Sequence, residues 1–362
     1  MEVIAYYLPQ FYPFKENDEW WGEGFTEWTN VGKAKPLFKN HYQPKIPSNL
    51  GYYDLRISEI REKQVELAKE AGVTGFCYWH YWFGNGKRLL DMPFNEVLNS
   101  GKPDFPFCLG WANETWKAKV WNSLDSPLDK TLIEQVYPGK NDIESHFLEV
   151  LPAFRDNRYI KIDNRPVFVI YKPLNLPDCK EFLSFWNSLA KKSGLVNGIF
   201  FIGHTVNDNE KNKILDLGFD AVNIVRTGEH RFNRNVIKKI PLKLILFRFF
   251  KRPLILNYSF ISRYFIKEMD KESNIFPTLI PNWDHTPRSG KYGVIFHNAN
   301  PKEFKKHAIH AFEAIKNKEE NRQIIFLKSW NEWGEGNYME PDLKYGKGMI
   351  NTLKEVSSRY LK

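Results

Sequence analysis

Ile324-Ile-Phe-Leu-Lys-Ser-Trp330-Asn-Glu-Trp-Gly-Glu-Gly336 opens as an apolar run of strand length and ends in amides, carboxylates, indoles and glycines. A strand that is apolar along its length is buried on both faces, the habit of parallel sheets covered by helices. Outward from it, runs of the same kind recur at about Val3 to Leu8, Gly75 to Trp82, Phe105 to Ala112, Val167 to Tyr171, Ile199 to His204, Ala221 to Val225 and Thr278 to Trp283. Amphipathic stretches separate or follow them at about Ser58 to Ala71, Asp142 to Asp156, Asp178 to Ser193, Glu210 to Leu217, Tyr258 to Lys271, Pro301 to Lys318 and Lys347 to Tyr360. This alternation predicts parallel strands joined by crossover helices, an α/β chain. Eight strands fit a closed (β/α)8 TIM barrel better than an open sheet, and one barrel takes up the whole chain as a single domain, 1–362.

Two connections far exceed the roughly two to six residues usual for such loops. One, Gln10 to Leu55, follows strand one, and the other, Trp116 to Asn141, follows strand three. Loops after strands gather at the carboxyl face of a barrel, where active sites form, so both are expected to wall one cleft.

Hydrophobic residues at 42% and charged residues at 26% are ordinary for a globular chain. Aromatic residues at 16% are not, and many sit in polar company, as in Tyr78-Trp-His-Tyr-Trp82. Amphipathic rings beside polar groups suit the flat faces of sugars, against the plainer reading of a Trp-rich core. The net charge of +9 is spread over most of the chain, which argues against a nucleic-acid partner. Only Lys238 to Arg252, KKIPLKLILFRFFKR, concentrates basic residues, six of them among apolar ones. That segment either makes a peripheral contact with an anionic membrane or packs on the barrel, and Pro241 and its short length favour packing. Cys77, Cys108 and Cys179 are odd in number and read as free core thiols. The chain opens directly on a strand, without a basic leader or long apolar stretch, so a cytoplasmic location is expected.

Polar residues at the carboxyl ends of the strands should converge. Strand two offers Trp79 and His80, strand three Asn113 and Glu114, strand four Tyr171, strand five His204, and strand seven Trp283 and Asp284, with Arg288 following. Strand eight supplies Trp330, Asn331, Glu332, Trp333 and Glu335; Tyr7 ends strand one, and Trp28 lies in the long loop. Three residues apart on a helical turn, Glu332 and Glu335 would hold their Cβ atoms about 5–6 Å apart. Retaining glycosidases keep their carboxyl groups roughly 5–5.5 Å apart, and close carboxylates raise one pKa so that one is acid while the other is base. A bare ExxE also describes two solvated loop glutamates; here two flanking Trp and two Gly favour a desolvated, tightly turned site. Asp284 reads as an acceptor for sugar hydroxyls, or as an Asx turn with Arg288 on the surface. His80 and His204 lack HxxxH or HxH spacing, so no metal is expected. No Walker loop or GxGxxG is present either, and no cofactor is expected.

Ala5-Tyr-Tyr-Leu-Pro-Gln-Phe11, Asn17-Asp-Glu-Trp-Trp-Gly22, Gly24-Phe-Thr-Glu-Trp-Thr-Asn30, His41-Tyr-Gln-Pro44, Gly75 to Trp82, Trp111-Ala-Asn-Glu114, Pro281-Asn-Trp-Asp284 and Ser329 to Gly336 together resemble the WbsX-type proteins of bacterial polysaccharide and O-antigen biosynthesis. That family is similar in turn to glycoside hydrolase family 99, retaining α-mannan enzymes on a (β/α)8 barrel. The resemblance implies that Glu332 removes the proton of the sugar's own 2-hydroxyl, that Glu335 is general acid and base, and that the intermediate is a 1,2-anhydro sugar. It also marks a departure, Gly334 where the hydrolases often carry His. The expected activity is a retaining glycoside hydrolase or transglycosylase acting on a bacterial surface polysaccharide or its precursor. The alternative is a glycosyltransferase of O-antigen or capsule biosynthesis that uses an activated sugar donor.

Overall fold

The computed structural model describes residues 1–117, 130–228, 234–250 and 252–360. Eight parallel strands carry the fold: β1 (Glu2–Tyr7), β2 (Gly75–Trp82), β3 (Phe107–Trp111), β4 (Arg165–Ile170), β5 (Phe200–Thr205), β6 (Ala221–Ile224), β7 (Ile275–Leu279) and β8 (Ile324–Leu327). Each pairs with the next in sequence, and β8 pairs with β1, at Ala5 with Leu327, to close the barrel. All eight are buried along nearly their whole length, as strands between a filled lumen and a helical coat must be.

The lumen is packed and partly polar. Tyr6 stacks on Trp79 at 4.7 Å and donates to Asn223, which donates in turn to Thr278. Neighbouring residues of opposite parity point outward into the coat: Tyr7 donates to Gln64 of the helix Ser58–Ala71, and His80 meets His146 of the helix Lys140–Arg155. The three cysteines are free and buried. Among the described residues no helix is long and apolar enough to cross a membrane.

The strand register departs from expectation mainly at β7, which ends at Leu279, leaving Ile280 to Trp283 as loop at the carboxyl face. The expected helix over Tyr258 to Lys271 breaks into Tyr258–Ile261 and two 3-10 turns. It breaks where Lys267 turns extended and buried Asp270 takes the Lys267 N–H and the Arg226 guanidinium. A helix at Met92–Ser100 and a parallel pair, Leu254–Asn257 with Val294–His297, were not expected. The long connection after β1 contains helices Lys15–Trp21 and Glu27–Lys33. Of the connection after β3, residues 118–129 lie outside the described residues, and Trp116–Lys117 pairs with Thr131–Ile133 across them.

Candidate active site

Beyond β8 the chain folds into a small rigid loop. Asn331–Glu332 pairs antiparallel with Asn337–Tyr338, and the 3-10 turn Trp333–Glu335 closes it. Gly336 is left-handed, φ 53°, and a Cβ there would press on Asp284 at 2.7 Å, so glycine is required. The Asn331 side chain bonds both backbone groups of Leu8, tying the turn to the end of β1. Trp333 stacks on Tyr338 and donates to Glu340. These contacts fix the turn that carries Glu332 and Glu335, and both glutamates have a side open to a cavity.

That open side is a cleft of two lobes, about 570 and 680 Å³ in volume, within the roughly 300–1,000 Å³ of small-molecule sites. Glu332, Tyr81, Glu114, Trp116 and Leu8 line both. The first lobe adds Trp79, Tyr171, His204, Trp283 and Glu335; the second adds Arg288, Asn113 and Glu27. Arg288 is the hub. Its Nη1 donates to Glu335 Oε1 at 2.7 Å and to Glu332 Oε1 at 3.3 Å, while Nε and Nη2 reach Glu27 Oε2 at 3.1 and 3.0 Å. Lys328 Nζ lies 3.2 Å from the other oxygen of Glu332, and His285 Nε2 3.4 Å from Glu335.

These partners split the pair. Burial and then the Glu335 charge raise the Glu332 carboxyl above its usual range, against the pull of Lys328 and Arg288. Burial also pushes Glu335 upward, but Arg288, the hydrogen bond from His285 and Lys328 outweigh it and hold that carboxyl well below its usual range. The two carboxyls are therefore pushed in opposite directions, Glu332 up and Glu335 down. The resemblance implies the opposite order for an enzyme about to protonate a leaving group.

Residues 3–353 match the model of the family described as Glycosyltransferase WbsX. The chain belongs to the WbsX family. It is 31% identical over 358 residues to the protein WxcX of Xanthomonas campestris pv. campestris, which covers 99% of this chain and 50% of the relative, so the chain spans about half the length of the curated relatives it matches. The GH99 endo-alpha-mannosidase of Bacteroides thetaiotaomicron, in complex with bis-tris-propane, shares the fold at 15% identity and a TM-score of 0.61, over 99% of this chain and 97% of that one. A structure described as a glycoside hydrolase-like protein does so at 16% identity and 0.59, over 98% and 93%. The likeness to these two solved structures is one of fold.

Within this WbsX barrel, several residues expected in the cleft lie elsewhere. Tyr7 and His80 face the helical coat, one position out of register with cleft-facing neighbours. Trp28 donates to the Tyr53 carbonyl and packs on Trp333 behind the turn. Trp330 is wholly buried against Phe76, and Asn331 and Trp333 are spent on the contacts that hold the turn. Asp284 accepts from His41, Gln43 and both Thr286 donors, so it forms an Asx turn in a separate buried network. Trp79, Asn113, Glu114, Tyr171, His204, Trp283, Arg288, Glu332 and Glu335 do line the cleft. Of these, buried His204 keeps its Nε2 without a hydrogen-bond partner among the described residues.

Sequence reasoning missed Lys328, His285, Tyr81, Trp116 and Glu27. Lys328 carried a readable signal, a cation inside an apolar strand, which needs a buried anion. Glu27 stood in a recognised motif but gave no local sign of its partner. Among the described residues no group of three or more His, Cys, Asp or Glu is arranged to hold a metal ion.

Proposed function

We propose that the cleft breaks or transfers a glycosidic bond with retention of configuration, using Glu332 and Glu335 as its catalytic pair. The observation that carries this reading is the single nitrogen Arg288 Nη1, at 2.7 Å from one Oε1 and 3.3 Å from the other. Two oxygens held by one atom lie no farther apart than the sum of those distances. That limit falls short of the roughly 6.5 Å where the inverting range begins and accommodates the roughly 5–5.5 Å of retaining pairs.

Following the resemblance, Glu332 takes the proton of the sugar 2-hydroxyl as that oxygen attacks the anomeric carbon. Glu335 gives its proton to the departing glycosidic oxygen. Water or an acceptor hydroxyl then opens the anhydro ring, its proton passing to Glu335 while Glu332 returns a proton to the 2-oxygen. Because Arg288 Nη1 favours the ionised form of Glu335, the entering sugar displaces Nη1 before Glu335 takes up the proton that it gives to the leaving group. Trp79, Tyr171 and Trp283 offer ring faces to the sugar, and the free His204 Nε2 offers a hydrogen bond to a hydroxyl. A bacterial surface polysaccharide or its precursor is the substrate class that membership of the WbsX family favours. Transfer to a second saccharide is supported by the two lobes meeting at Glu332, one for each partner.

The test compares poor and activated leaving groups on a panel of oligosaccharides and aryl glycosides, with product configuration read by NMR. Glu335→Gln is expected to slow natural linkages by about 10²–10⁴ and activated aryl glycosides far less, whereas Glu332→Gln slows both. Unchanged turnover of a natural substrate by Glu335→Gln, or an inverted product, sinks the reading.

A further inference from the structure

From His230 to Lys267 the chain has ten Lys and Arg and no Asp or Glu. The net charge of the whole protein is +9, so the rest of the chain is close to neutral and its basic character belongs to this excursion after β6. Within it, Val236, Ile240 and Leu244 turn inward onto a small core that includes Val225, Leu254 and Val294. Of the helix Pro241–Phe250, Leu244 packs on that core.

The helix exposes another face. Leu242, Ile245 and Phe249 are 65%, 47% and 70% exposed, and their spacing of three and four puts them on one side of the helix. Around that row Lys238, Lys239, Lys243 and Arg252 are exposed as well. Three large exposed apolar side chains, flanked in sequence by exposed cations with no Asp or Glu in the segment, form the pattern of a helix seated in an anionic lipid interface. The excursion leaves the carboxyl face of the barrel, and its first residues, Val225, Thr227 and Gly228, line the first lobe of the cleft.

We propose that the helix Pro241–Phe250 docks this protein peripherally on an anionic phospholipid surface, with Leu242, Ile245 and Phe249 inserted among the lipids and the flanking cations on the headgroups. The short helix, with Leu244 on the core, lies on the surface and does not span it. On the further reading that the cleft processes a glycan, this seats the first lobe beside saccharides that are tethered to a membrane.

Flotation of the full chain with vesicles separates the alternatives. Binding is expected to vesicles of phosphatidylcholine mixed with phosphatidylglycerol, to weaken as salt is raised, and to be at least tenfold weaker to phosphatidylcholine alone. Lys238→Gln with Lys239→Gln is expected to weaken partitioning by about 25-fold, from roughly fivefold per basic residue near a charged surface. Leu242→Asp with Phe249→Asp is expected to abolish it, with thermal unfolding unchanged because these side chains are exposed. Equal binding to both vesicle types, no binding to either, or binding indifferent to both double variants overturns the proposal. So does dimerisation that Leu242→Asp with Phe249→Asp abolishes in the absence of vesicles, which gives the face to a second copy of the chain. Both variants keep wild-type turnover of a water-soluble substrate, so vesicle binding by a protein that cleaves no glycan leaves this inference standing and removes only the catalytic one.

Discussion

Gly334→Ala tests the architecture of the carboxylate pair without any substrate. Gly334 has no positive φ, so alanine by itself should be neutral or stabilise by about 0.4–1 kcal/mol through the unfolded chain. Its Cβ would instead fall inside the contact distance of Glu27 Oε2 and lie 3.0 Å from Arg288 Nε. Glu27 is 3% exposed and its partner is Arg288, so moving it strands a buried carboxylate, at about 3–5 kcal/mol. Glu27→Ala leaves Arg288 with Glu332 and Glu335 and should cost less, about 1–3 kcal/mol. Removing the carboxylate also makes room for the methyl group. The double variant Glu27→Ala with Gly334→Ala should therefore be no less stable than Glu27→Ala alone, a coupling of about 3 kcal/mol. Urea unfolding at equal m-values measures all four corners of the cycle. Wild-type stability for Gly334→Ala, or costs that simply add, would refute the reasoning.

Burial raises Glu340 to about 7, against hydrogen bonds from Trp333, Gln64 and Tyr53. Its contribution to stability is complete below the ordinary Glu pKa and is lost as pH rises through 7. The stability of wild type relative to Glu340→Gln should accordingly fall by about 3 kcal/mol between pH 4.5 and 8, and a flat difference would count against it. Asp284 behaves oppositely: burial would raise it, but the His41 hydrogen bond, Lys45 and Thr286 bring it to about 2. Its stabilisation is present above the ordinary Asp pKa and is lost as pH falls toward 2, so Asp284→Asn should cost about 2 kcal/mol more at pH 6 than at pH 2 in chemical denaturation. Lys328→Met removes the cation from Glu332 and should move the acidic limb of the kcat/KM profile to higher pH, because the base must be ionised.

The barrel was legible because eight apolar runs separated by amphipathic ones leave little choice of topology. Which side of a strand faces the lumen was not. In a strand buried on both faces apolar residues do not alternate with polar ones, so Tyr6 and Tyr7, or Trp79 and His80, cannot be told apart by pattern. The same loss affects the loop after β8. Its glutamates were readable from spacing, but Trp330, Asn331 and Trp333 had the composition of a binding surface while serving as its frame. His285 and Asp284 are adjacent, yet one faces the cleft and the other a buried network, a distinction made by the Asx turn between them.

Two features that look unrelated in the sequence are one feature in space. Gly334 lies in the turn after β8, and the long aromatic loop Gln10 to Leu55 follows β1. The missing side chain at 334 leaves room for the Glu27 carboxylate, which that loop delivers on the helix Glu27–Lys33. Glu27 fixes two nitrogens of Arg288, and the third then has little choice but to lie against Glu332 and Glu335. A loop 261 residues away in sequence from Arg288 therefore helps to set how that guanidinium is shared between the two glutamates. Any side chain at 334 would collide with Glu27 where this loop places it. A substitution at 334 therefore reaches Arg288, and through it both glutamates, by way of Glu27.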